Sequence, residues 1–279
     1  MKQNQIILIF IAIVLSIGLF MLPKAVINKS DKNALQKPKN EDVSEEMPTV
    51  LNTDHNKEKT EINNPSIVRL RKKYIQFSNS EKRLIFADSL AEEFEKLFYF
   101  DSSLYYRNII YTELKSKETT LKLAETYQKA FSFAPGDKKS TVYNDKARKY
   151  YEDVLAVAPQ DLETKSKLAM TFVSTSTPMK GILMLKEVLE INPKQELAIF
   201  NLGLLALQSG QFDKAIGRFD NLIKINPKNW EAIFYKGVAL KELGKIKECI
   251  ECMTKVKLNA TDKFLTANAN GYLEELLKQ

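Results

Sequence analysis

An all-α fold of stacked antiparallel helix pairs is predicted by three regularities in the chain. Pro159, Pro193 and Pro227 recur at a spacing of 34 and close similar runs, VLAVAP, VLEINP and LIKINP. Gly203, Gly237 and Gly271 recur at the same spacing. Small residues also pair at a spacing of 12, as Ala169 does with Gly181 and Gly203 with Ala215. Proline ends a helix and a small residue lets two helices approach, so a repeating unit of two helices follows from these marks.

The chain has 279 residues, of which 44% are hydrophobic and 28% charged, enough apolar material to bury a core. Its 42 Lys+Arg against 35 Asp+Glu give a net charge of +7, with the basic residues scattered along the chain, which argues against nucleic acid as a partner. Two cysteines, Cys249 and Cys252, are too few for a disulfide-built module.

Residues 6–22, behind the short tail of residues 1–5, read IILIFIAIVLSIGLFML and carry no charge. As a helix they span about 26 Å, enough to cross a bilayer, so a transmembrane anchor is expected here. A cleaved signal peptide is the alternative, with Lys2 as its basic start and Ser16-Ile17-Gly18 as a small-residue site. Cleavage there would leave Leu19 to Leu22 at a new terminus, which favours the uncleaved anchor. Lys24, Lys29, Lys32, Lys37 and Lys39 follow the span and argue for a cytoplasmic domain. Long domains translocate largely regardless of such charge, and an extreme N-terminal anchor is a common export signal. The balance favours a repeat domain on the extracytoplasmic side, facing the periplasm.

Residues 23–64 are polar, contain Pro38 and Pro48 and show no sustained apolar periodicity, so a disordered linker is expected. The single histidine, His55, lies in it without neighbours for a metal cluster or a nucleophile-base pair.

Helix pairs are expected over 65–261, with the best units at 162–193, 196–227 and 230–260. In the second of these, Leu202-Gly203, Ala215, Phe219 and Pro227 stand where the tetratricopeptide-repeat (TPR) family has its leucine-glycine pair, alanine, aromatic and terminal proline. The chain resembles that family, whose unit has the same length. The third unit keeps Gly237 and a Leu243-Gly244 turn but puts Cys249 in the alanine column and lacks the proline. The first has Ser174 to Pro178 in place of the Ser209-Gly210 turn. Upstream, Ala91 and Ser103 suggest one weaker pair. Ala124 and Ala147 suggest another, with residues 131–141 inserted as a loop. Residues 262–279 are expected to form one capping helix, which a solenoid needs for solubility.

The resemblance implies a superhelical solenoid whose first helices line a groove that takes a protein or peptide partner. By family geometry that groove presents Met170, Phe200, Leu204, Leu207, Phe234 and Val238, with Lys167, Asn201 and Lys241 as polar neighbours. So apolar a surface suits an apolar or amphipathic segment of a partner, the favoured reading, with packing within the solenoid or against a second copy as the alternative. Chaperone-clamping members of the family carry a lysine where this chain has Ser166, Phe200 and Phe234, which argues against that partner. Bacterial members with one N-terminal anchor include assembly factors, among them those of cytochrome maturation. No catalytic set, cofactor site or metal site is expected. Cys249 and Cys252 form a C-x-x-C pair inside a helix and read as structural, and Gly136 to Ser140 reads as an exposed turn.

Overall fold

The computed structural model describes residues 64–77, 79–134 and 137–277. These form twelve α-helices and no strand. The expected span 6–22, nearly all of the linker and His55 lie outside the described residues, among which no helix is long and apolar enough to cross a membrane.

The helices are α1 (Pro65–Gln76), α2 (Ser80–Lys96), α3 (Phe100–Leu114), α4 (Lys117–Ser132), α5 (Asp137–Val157) and α6 (Leu162–Val173). They continue as α7 (Pro178–Ile191), α8 (Glu196–Gln208), α9 (Phe212–Ile225), α10 (Trp230–Glu242), α11 (Ile246–Asn259) and α12 (Lys263–Leu276). Each helix packs on its neighbours in the chain, and α2/α3, α4/α5, α6/α7, α8/α9 and α10/α11 form the closest pairs. α1 lies on α2 ahead of the first pair, and α12 packs on α11 after the last.

Small residues sit where the paired helices meet. Ala91, Ser103, Ala124, Ala147, Ala169, Ala215 and Cys249 have no exposed surface, so the two weaker upstream pairs are built like the stronger ones. A Cβ on Gly203 would stand 2.7 Å from the Phe219 ring, and one on Gly237 2.8 Å from the Met253 methyl. Gly271 shares their period without their role: it is exposed, and a Cβ there would meet nothing. Among the described residues no helix follows α12 to press against it.

The connectors repeat as closely as the helices. Ala158, Asn192, Asn226 and Ala260 each donate a backbone N–H to the carbonyl four residues earlier, at 3.0, 2.9, 2.8 and 2.9 Å. Pro159, Pro193 and Pro227 come next, where a missing N–H breaks no helical bond. Asp161, Gln195 and Asn229 then cap the following helix, accepting from the N–H groups of Thr164, Ala198 and Ala232 at 3.1, 2.7 and 2.9 Å. Inside two of the pairs, Gly210 and Gly244 turn the chain at φ of +71° and +72°, a conformation that only glycine adopts cheaply. In the α6/α7 pair, Thr175 and Thr177 hold the turn through a bond from the Thr177 N–H to the Thr175 hydroxyl at 3.2 Å.

The expected loop at 131–141 does not form as one. α4 runs to Ser132 and α5 starts at Asp137, so most of the surplus lengthens the helices and α5 reaches 21 residues. Phe131 and Ala134 pack on the core that holds Leu123, Tyr127 and Tyr151, which draws the segment into the pair. α2, α3 and α4 are further tied by Glu95, which accepts from Thr126 and Lys129 at 2.8 and 2.7 Å and from Ser103 at 3.2 Å. The largely buried guanidinium of Arg107 pairs with Asp88 beside it.

Candidate protein-binding face

The first helices of the last three pairs, α6, α8 and α10, touch one another laterally, and α12 continues the row. This layer exists because each connector returns the chain by one helix pair, so first helices meet first helices. Most of the residues expected to face a partner lie along it.

Met170, Leu204, Leu207 and Val238 are half-buried on α6, α8 and α10. Each rests on a core cluster while keeping part of its surface open. Lys167 lies on the same row of helices. It bridges Glu125 of α4 at 2.6 Å and Glu163 at 2.7 Å. Burial works against its charge, yet the hydrogen bonds to those two carboxylates hold its pKa above the usual lysine value. Lys241 bonds Glu275 at 2.7 Å and stands 5.0 Å from the centre of the Tyr272 ring, which fastens α12 to α10.

Phe200 shares that half-buried setting, while Phe234 and Asn201 are placed differently. Phe200 is half-buried and packs 6.0 Å from Phe219 and 5.7 Å from Tyr235, centre to centre. Phe234 is only 8% exposed, with Tyr235 at 5.4 Å and Tyr272 at 5.6 Å. Asn201 is 7% exposed. Phe234 and Asn201 therefore offer a partner almost no surface, and in the case of Phe234 the reason is a row of aromatic rings running from α9 through α8 and α10 to α12. Tyr235 is the hub of that row, adjoining Phe200, Phe219 and Phe234. It went unnoticed in the sequence because it follows Phe234 directly, and only the helix register separates their roles.

A second apolar surface also escaped the sequence reading. Phe98 is exposed, has a left-handed φ of 62°, and places its ring 5.1 Å from that of Phe133 on the α4/α5 connector. With Phe100 these rings line a shallow cleft of about 430 Å³ edged by Glu92, Lys96 and Lys129. The run Phe98-Tyr99-Phe100 was its only signal in the sequence.

Cys249 and Cys252 are buried and unbonded to each other. Burial, with the neighbouring Cys252, pushes the Cys249 thiol up to about 11, and burial raises Cys252 as well. Among the described residues no group of three His, Cys, Asp or Glu side chains could hold a metal ion.

The tetratricopeptide-repeat family model matches residues 197–229, which are α8, α9 and the connector that follows them. Among solved structures, TTC0263, a thermophilic TPR protein in Thermus thermophilus, aligns with a TM-score of 0.54 and 17% identity, over 68% of this chain and 98% of that one. A tetratricopeptide repeat protein from Parabacteroides merdae aligns with a TM-score of 0.53 and 14% identity, over 76% of this chain and 79% of that one. Both likenesses concern the fold: the described residues form an all-α, TPR-like repeat solenoid. A search of curated protein sequences finds no match.

Proposed function

We propose that this chain is a membrane-tethered repeat scaffold that holds a protein partner against the face of α6, α8 and α10. The observation that supports this most is the partly open apolar row of Met170, Leu204, Leu207 and Val238, set on adjacent helices with Lys167 and Lys241. Repeat solenoids use such extended faces for binding. A row of aliphatic side chains suits an apolar or amphipathic segment of the partner. The role proposed is binding and not catalysis.

Tethering rests on the uncharged residues 6–22, and the extracytoplasmic placement rests on their position at the N-terminus. Protease added to sealed spheroplasts tests the placement. Digestion of the repeats without lysis agrees with it, and protection until lysis overturns it.

The binding face is tested with a photo-crosslinking residue at position 207 or at exposed position 221 of α9, in the full chain in its native membrane. Crosslinks to one protein from 207 alone, lost in Leu204→Glu with its helix content unchanged, are the expected result. Equal recovery from both positions would remove the face from consideration. Crosslinks only to a second copy of the chain would make the face a self-association surface.

A second reading makes the partner a client, with the chain acting as an assembly factor for a membrane or envelope complex such as those of cytochrome maturation or secretion. An uncharged anchor sequence and an apolar row in the same chain favour it, since such clients expose apolar segments. Deletion separates the two: loss of one assembled complex marks an assembly factor, and no specific defect marks a general scaffold.

A further inference from the structure

We propose that the outward face of α1 rests on an anionic lipid bilayer, an inference that builds on the membrane tether proposed above. α1 and the start of α2 are strongly basic. Between Pro65 and Ala87 the chain carries Arg69, Arg71, Lys72, Lys73, Lys82 and Arg83 against the single acidic residue Glu81. α1 itself has no acidic residue.

The helix register divides these cations into two sets. α1 packs on α2 through Ile67, Leu70 and Tyr74, at helical spacings of three and four. Arg71 stands 5.3 Å from the centre of the Phe94 ring, Lys73 5.4 Å from that of Phe86, and Arg83 5.8 Å from that of Tyr74. Those three, with Lys82 against the Phe77 ring, are used within the fold. Arg69 and Lys72 point away from it, are exposed, and form no ion pair among the described residues.

The same outward face carries two aliphatic side chains. Val68, Lys72 and Ile75 follow one another by four and three residues and therefore lie on one stripe. Val68 is 52% exposed and Ile75 80%. At the turn beyond, Phe77 stacks on Phe86 with ring centres 5.3 Å apart, and Lys82 stands 5.6 Å from the centre of the Phe77 ring. Aliphatic groups beside unpaired cations, on a helix free of acid, are the composition of a face that lies in a lipid headgroup layer.

Position in the chain supplies the second argument. α1 follows directly on residues 23–64, the stretch between the apolar residues 6–22 and the repeats. The linker expected from the sequence would, as a coil of that length, have a root-mean-square span of roughly 35 Å, and on the proposed tether it would keep α1 near the bilayer, where a weak attraction acts at high local concentration. An acidic protein surface would complement Arg69 and Lys72 but has no use for an almost fully exposed Ile75.

The test uses the full chain in nanodiscs of phosphatidylcholine alone or with about a third phosphatidylglycerol, reading amide hydrogen exchange over residues 65–76. Slower exchange of α1 in the anionic discs, abolished by high salt and absent from α8 to α10, is the expected result. Arg69→Gln with Lys72→Gln should weaken the docked state about thirtyfold, since each basic residue near such a surface contributes about a fivefold preference. Identical α1 exchange in both discs, with the chain co-purifying with both, overturns this proposal and leaves the tether standing. If the chain enters neither disc, the tether reading fails. Anionic vesicles added to the free chain then decide the face alone, protection of α1 supporting it and no protection overturning it. Protection that rises with protein concentration whatever the lipid would assign the face to a second copy and overturn the proposal.

Discussion

The ring of Phe219 occupies the space that a side chain on Gly203 would need, with its Cε1 atom 2.7 Å from the Cβ position. Phe219 is itself fully buried, so the ring has nowhere to withdraw.

Gly203→Ala is therefore expected to lose about 1–3 kcal/mol to overpacking, only partly offset by alanine's better helix propensity of about 1 kcal/mol. Gly181→Ala should be worse, because its Cβ would sit on the backbone carbonyl oxygen of Ala169, which cannot rotate away. Gly217 and Gly271 also lie in helices but have open space around the Cβ position. Their alanine variants should gain about 0.5–1 kcal/mol. Urea midpoints of the four variants check this order, and a destabilised Gly271→Ala would contradict the placement of α12.

Glu95 makes an acid-sensitive tie between α2, α3 and α4. Burial alone would raise its pKa, but the hydrogen bonds from Lys129 and Thr126 and the charge of Arg107 bring it below the usual glutamate value. Its contribution is then present above the unfolded value near 4.5 and lost as pH falls through the lower folded value. Glu95→Gln should cost about 2–3 kcal/mol at pH 7 and flatten the loss of stability below pH ~4.5. Glu187→Gln, which breaks an exposed pair with Lys165, should cost under about 1 kcal/mol. Denaturant melts from pH 3 to 7 separate the two.

The buried thiols make the opposite prediction at alkaline pH. With Cys249 raised to about 11, the folded state favours the protonated form. That contribution is complete below the unfolded value of about 8.5 and disappears as pH rises through about 11. At pH 8 neither cysteine should react with a thiol reagent until the chain unfolds. Cys249→Ala should show a shallower decline in stability over this alkaline window. Rapid labelling of the native protein would refute the burial of α11.

Leu276 and Leu277 are adjacent, yet the first is 5% exposed and the second 72%. Leu276→Ala should lose about 2–4 kcal/mol as α12 lifts from α11, and Leu277→Ala should change stability by less than about 0.5 kcal/mol. Thermal melts of the two variants suffice.

The features readable in the sequence are those set by side-chain size. Gly203, Gly237, Ala215 and the three prolines show the period because only small residues or proline serve at those places. The helix-capping column of Asp161, Gln195 and Asn229 shows nothing, since three different side chains offer the same acceptor oxygen. Residues 131–141 look like a loop because Pro135 and Gly136 stand beside Asp137, Lys138, Lys139 and Ser140, and a polar first helical turn has the composition of a linker. Of the expected binding face, Met170, Leu204, Leu207 and Val238 keep partly open surface. Phe234 does not, because its exposure depends on α12, docked from the far side of a helix pair by Lys241, Tyr272 and Leu273.

The recurring connectors make the solenoid interchangeable along its length. Asn192 and Asn226 bond the same way at each end of one unit, and Gln195 and Asn229 start the next helix the same way. Excising residues 194–227 would join one of these junctions to its equivalent with every cap intact, and duplicating them would insert a unit without a seam. The proposed binding row could thus be shortened or extended one helix pair at a time, which would change the length of segment it offers a partner without redesign of the fold.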